Sequence, residues 1–114
     1  MSAADPTAFL VVTVVVDPEY EAEFNRWYDE EHFPDRMALP GFLRGFRSVS
    51  RDHGETRYLA YYELVDKAVL ESAEYLAIGG PGATTEWTER LRPHLLSIDR
   101  RVYENVAPAT AGAK

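Results

Sequence analysis

In Glu23-Phe-Asn-Arg-Trp-Tyr-Asp-Glu-Glu-His32-Phe-Pro-Asp, three chemically useful side chains recur at spacings of three and four. Asn25, Tyr28 and His32 therefore share one face of a helix. An imidazole placed there suits general acid or base work, because its ordinary pKa lies near neutrality. A phenol one turn earlier can hold or protonate a substrate oxygen. An amide before that can face a developing oxyanion. The plainer alternatives are a histidine capping its own helix, a tyrosine packed under a sheet edge, and an exposed asparagine. With the helix ending at His32, the dipole and neighbouring Glu30 and Glu31 favour imidazolium, while an aromatic surround opposes it.

The elements that must carry these residues follow from the hydrophobic pattern. Phe9 to Val16 is a β-branched run ended by Asp17-Pro18, which reads as a strand covered on both faces. Asp17 is a good N-cap and Pro18 a good first helical residue, so the first helix runs from about Pro18 to His32. Pro34 and Pro40-Gly41 then stop it. Strands at about Phe42–Arg51 and Thr56–Leu64 flank a hairpin loop, Asp52-His-Gly-Glu. Asp66 caps a second helix to about Ala77, with Val69, Leu70, Ala73 and Leu76 on its buried side. Gly79-Gly-Pro-Gly82 breaks the chain before a short helix at about Thr85–Arg92 and a last strand at Ser97–Val106. Residues 107–114 read as a disordered tail on an ordered core of about 8–106, all one domain.

The order β-α-β-β-α-β is the ferredoxin-like α+β pattern: a four-stranded antiparallel sheet with its helices on one face. The other face of the sheet then needs cover, which a second copy of the chain supplies. Period two puts Tyr58 and Tyr62 on one side of their strand and Tyr61 on the other. With Trp27, Phe42, Phe46 and Trp87 they can wall an apolar cavity for a flat hydrophobic ligand, or simply form core and dimer interface.

Composition removes several function classes. A net charge of −7 opposes nucleic acid or an anionic membrane as partner, since both need a basic footprint. The chain has no cysteine, which excludes thiol nucleophiles, disulfides and cysteine-ligated metals. His32, His53 and His94 form no spaced metal motif, and Gly79–Gly82 lacks the lysine of a phosphate loop. The N-terminus has no basic stretch before its apolar run, and that run is far shorter than the ~20 residues of a membrane helix. A soluble cytoplasmic protein is expected.

Phe24-Asn-x-Trp-Tyr-x-x-Glu-His32, then Pro40-Gly-Phe, then Arg57-Tyr-Leu-Ala-Tyr-Tyr-Glu63, resembles the dimeric α+β barrel superfamily, nearest to small EthD-like proteins. The resemblance covers about residues 8–106. It implies a homodimer with facing sheets and a pocket in each subunit between sheet and helices. Relatives include lactone isomerases, aromatic polyketide cyclases, cofactor-free monooxygenases of phenols, aldoxime dehydratases and haem-handling enzymes. Many act on hydrophobic ring compounds with no organic cofactor, using a pocket histidine to move a proton. That role falls here on His32, with Tyr28 and Asn25 as companions. The first reading is thus a cofactor-independent lyase, isomerase or cyclase. The alternatives are a cofactor-free monooxygenase and a non-catalytic protein that holds a small hydrophobic molecule.

Overall fold

A computed structural model describes residues 5–107, so the tail expected at 107–114 lies, apart from Ala107, outside the described residues. Strands β1 (Ala8–Val16), β2 (Phe42–Ser50), β3 (Arg57–Leu64) and β4 (Leu95–Glu104) form one antiparallel sheet in the order β2-β3-β1-β4. This is the ferredoxin-like arrangement that the element order implies. The last strand starts and ends two residues earlier than expected.

Register sorts the side chains by face. Leu10 stands opposite Tyr62 and Val102, Val12 opposite Ala60 and Arg100, and Val14 opposite Tyr58 and Ile98. These rows face the helices, and Leu10, Val14, Tyr58, Ala60 and Tyr62 are buried there. On the opposite face Phe9, Tyr61 and Phe46 form a continuous aromatic stack, with centroids 5.2 and 4.7 Å apart. Phe46 is 48% exposed and Tyr103 50% exposed. Within one chain, therefore, β1 is buried on one face and only half-buried on the other.

The first helical arm departs from expectation. Asp17 does cap its start, accepting from the Glu19 amide. The chain runs through α1 (Glu21–Trp27), a π-helical turn (Tyr28–His32) and α2 (Phe33–Met37) without a break. Pro34 does not stop it. The Phe33 amide reaches back five residues to the Tyr28 carbonyl, so the wider turn absorbs the hydrogen bond that Pro34 cannot donate. The helix ends instead at Met37, and the chain turns into β2 through Gly41, whose φ of 90° few other residues tolerate. Gly45 lets α2 lie close on β2, because a Cβ there would meet the Met37 sulfur at 2.8 Å.

The second crossover differs too. Asp66 caps only a 3-10 stretch (Lys67–Glu71), and extended Ser72 restarts the chain as α3 (Ala73–Gly79), capped by its own hydroxyl. That restart changes the phase. Tyr75 is the buried residue, while Ala73 and Leu76 are exposed. A short α4 (Glu86–Leu91), capped by Thr85, buries Leu91. Among the described residues no helix is long and apolar enough to cross a membrane.

Candidate functional site

The helical arm, α3 and the sheet enclose an open cavity of about 240 Å³. Leu10, Val12, Val14, Leu95 and Ile98 give it an apolar floor. Trp27, Tyr28, His32 and Tyr62 form an aromatic wall, and Arg36 and Arg100 enter from the α3 side.

His32 is central to this wall. Its ring packs on Trp27 (centroids 4.4 Å apart, planes at 35°) and meets Tyr28 nearly edge-on at 4.9 Å. Because the helix continues past it, His32 does not sit at a helix end and does not cap one. Nor do the neighbouring carboxylates turn toward it. Glu30 pairs with Arg26, and Glu31 accepts from Trp27 Nε1 at 3.1 Å and from Thr85 Oγ1 at 2.7 Å. Burial, then the charges of Arg36 and Arg47, push the His32 pKa down to about 3. Of the two opposing influences that the sequence offers, burial prevails, and the ring is neutral at ordinary pH. Among the described residues no protein group hydrogen-bonds its nitrogens, although Trp27 and Arg36 beside it are both engaged.

Tyr28 lies under the Arg47 guanidinium, 4.4 Å from its ring centre. Burial raises the pKa of this phenol against the opposing pull of Arg47 and Arg36. The Tyr62 hydroxyl is buried with no hydrogen-bond partner of good geometry, although the Tyr28 hydroxyl lies close enough for each to shift the other's titration. Burial, followed by Tyr28, drives its pKa strongly upward. Two neutral phenols thus share the cavity wall with a neutral imidazole.

Asn25 is not in this cavity. It accepts from Arg47 at 2.8 Å and donates to Tyr58 Oη and the Glu21 carbonyl, both at 3.1 Å. Tyr58 in turn donates a short bond to the Glu21 carboxylate. Asn25 and Tyr58 therefore belong to a closed network behind Tyr28, completed by the 2.7 Å pair of Arg47 with Asp29. The π turn explains the split, since its wider spacing rotates His32 away from the line that Asn25 would share in a regular helix. Phe42 is core, edge-on to Tyr62 and stacked on Tyr75. Phe46 lies on the opposite face of the sheet. Trp87 packs outside the cavity, with Nε1 on Glu23 and Arg26 over its ring. Of the nine site residues expected from sequence, His32, Tyr28, Trp27 and Tyr62 line the cavity; Asn25, Phe42, Phe46, Tyr58 and Trp87 do not.

Sequence reasoning missed Arg36 and Arg100. Arg36 follows His32 by four residues, a signal hidden by reading Pro34 as a stop. Arg100 shares its face with Val12 through the strand register. A smaller cleft of about 110 Å³ adjoins His32 and Arg36 and is lined by Glu31, Asp35, Thr84, Thr85 and Thr88. Among the described residues no three histidine or carboxylate side chains cluster as a metal site.

Comparison with known proteins places this geometry in context. The family described as "Domain of unknown function (DUF4286)" matches residues 8–105. A core atranone cluster protein from Stachybotrys chlorohalonatus is 33% identical over 78 residues, 66% of this chain and 33% of that protein. The chain thus spans about a third of the length of that relative. Among solved structures, a dimeric ferredoxin-like protein from an uncultured marine organism is 21% identical with a TM-score of 0.69, covering 96% of this chain and 97% of that one. A monooxygenase from Streptomyces coelicolor, solved in complex with nanaomycin D, is 16% identical with a TM-score of 0.65, covering 94% of each chain. At these identities the likeness is one of fold.

Proposed function

The chain belongs to the DUF4286 family, and from the site its fold builds we propose an enzyme that moves a proton on a hydrophobic ring compound, with His32 as the base. The observation that carries this reading is a neutral imidazole, free at its nitrogens, in an aromatic wall over an apolar floor. A base with a pKa of about 3 is weak in the empty site. Transfer from a neutral acid to a neutral base, however, creates an ion pair, and opposite charges in a water-poor cavity attract strongly. The arginine charges that disfavour imidazolium favour the substrate anion by the same physics. Tyr28, a neutral donor beside His32, holds the developing oxygen charge. The substrate is therefore a ring compound with an acidic hydroxyl or a hydrogen next to a carbonyl, and the outcome is an isomerase, lyase or cyclase step.

A second reading adds dioxygen, favoured by likeness to the Streptomyces coelicolor monooxygenase. An anthrone deprotonated by His32 would react with one O2, lose water and leave as the quinone. Turnover of anthrone, measured with and without air, separates the two. Turnover that persists without oxygen supports the first reading, and strict oxygen dependence supports the second. His32→Phe is expected to slow either by about 10²-fold or more. Unchanged turnover in His32→Phe would refute both, and binding of ring compounds without turnover would leave a ligand-holding protein. We also place the half-bare face carrying Phe9, Tyr61 and Phe46 against a second copy, as the dimeric relative from the marine organism supports.

A further inference from the structure

Charge is distributed unevenly over this acidic chain. Among the described residues every arginine except Arg36 and Arg100 stands in an ion pair with a carboxylate. Both exceptions line the main cavity. In a protein with 19 acidic residues against 12 basic ones, two guanidiniums left without a carboxylate in one cavity suit an anionic ligand. The cavity lining contains no aspartate or glutamate. Its third arginine, Arg92, is already held by Glu89 at 2.7 Å. Glu31 and Asp35 line only the smaller cleft, and Glu31 is committed to Trp27 and Thr85.

The two free guanidiniums are also held in place, and by the same wall. Arg36 donates to the Ile78 carbonyl at 3.2 Å, and Arg100 donates to Tyr75 Oη at 3.1 Å. Tyr75 and Ile78 are three residues apart on α3, so about one helical turn separates the two anchors. Each guanidinium spends one donor nitrogen on its anchor and keeps others for a ligand. One comes from the helical arm and the other from β4, so they approach a bound molecule from two elements.

We propose that the ligand of this cavity carries a permanent anion, most simply a carboxylate on a hydrophobic ring system, clamped between Arg36 and Arg100 at the α3 wall. The apolar floor takes the rings, and His32, four residues before Arg36, faces another part of the same molecule. This deepens the proposed function and rests on it for the cavity being the substrate site. The preference for an anion is nevertheless readable without any turnover.

Calorimetric binding of 2-naphthoate and of its uncharged analogue 2-naphthamide tests the clamp on wild type, Arg36→Gln, Arg100→Gln and the double variant. Arg100 is exposed and Arg36 only half-buried, and Gln keeps a polar side chain at each, so both substitutions should leave the fold intact. Naphthoate should bind wild type about tenfold or more tightly than naphthamide. Each single variant should lose part of that preference and the double variant all of it, with naphthamide binding unchanged. Arg44→Gln, on an exposed arginine paired with Glu63, should keep the full preference. Equal binding of acid and amide to wild type, no binding of either, or a preference surviving in the double variant would overturn the proposal. Because His32 is intact throughout, a failed base assignment would leave these affinities untouched, and a failed clamp would leave turnover of uncharged ring compounds untouched.

Discussion

Replacing His32 by phenylalanine keeps a ring against Trp27 and Tyr28 but removes the titratable group, and this should flatten the acid sensitivity of the fold. The native imidazole titrates at about 3, against 6.5 as the ordinary value that the unfolded chain takes. A histidine held neutral by the fold stabilises it fully above pH 6.5, and the contribution fades as pH falls toward 3. At pH 5.0 the unfolded chain has taken up this proton while the native chain has not. Each pH unit below 6.5 then costs about 1.4 kcal/mol, so wild type should lose about 2 kcal/mol between pH 7.5 and 5.0 that the variant keeps. Urea unfolding of both proteins at half-unit steps measures this directly, since the carboxylates common to both cancel in the difference. A wild-type-minus-variant difference that stays flat across this window would refute the neutral-histidine assignment. A difference of the opposite sign would mean that the fold favours imidazolium.

Three further outcomes can be checked by unfolding or sedimentation. Tyr62→Phe removes a buried hydroxyl without a good partner, so the unfolding free energy in urea should hold or rise by about 1 kcal/mol; a clear loss would mean the hydroxyl is bonded in solution. Gly41→Ala puts a methyl against Val69 at a φ of 90° and should cost about 1–3 kcal/mol, with an unchanged midpoint counting against the turn described. Phe46→Asp places a charge on the half-bare sheet face and should shift a dimer toward monomer in sedimentation velocity; an unaltered dimer would locate the contact elsewhere.

The order of elements and the hairpin could be read from the chain because their signals are local. The β-branched run after Ala8, the Asp17-Pro18 cap and the alternation of Tyr58 and Tyr62 against Tyr61 each act over a few residues. The helical arm was not legible in the same way. A proline read as a stop is accommodated here by one wide turn, and that turn both lengthens the helix and removes Asn25 from the line of His32. A similar break in phase at Ser72 exchanged Leu76 for Tyr75 as the buried residue of α3. The sign of the His32 shift was beyond sequence reasoning, because it depends on Arg36 and Arg47 and on a cavity formed by distant elements. Arg100 reaches that cavity only through a register that pairs it with Val12, some 88 residues away in the chain.

The most direct test of His32 as a base is hydrogen exchange into anthrone, whose methylene hydrogens are acidic, followed by NMR in deuterated buffer without oxygen. Exchange reports removal of the proton whatever chemistry follows it. Wild type should accelerate incorporation of deuterium over buffer alone, and His32→Phe should lose about 10²-fold of that acceleration or more while still binding anthrone. Equal acceleration by both proteins, or none by a wild type that binds the compound, would contradict the account.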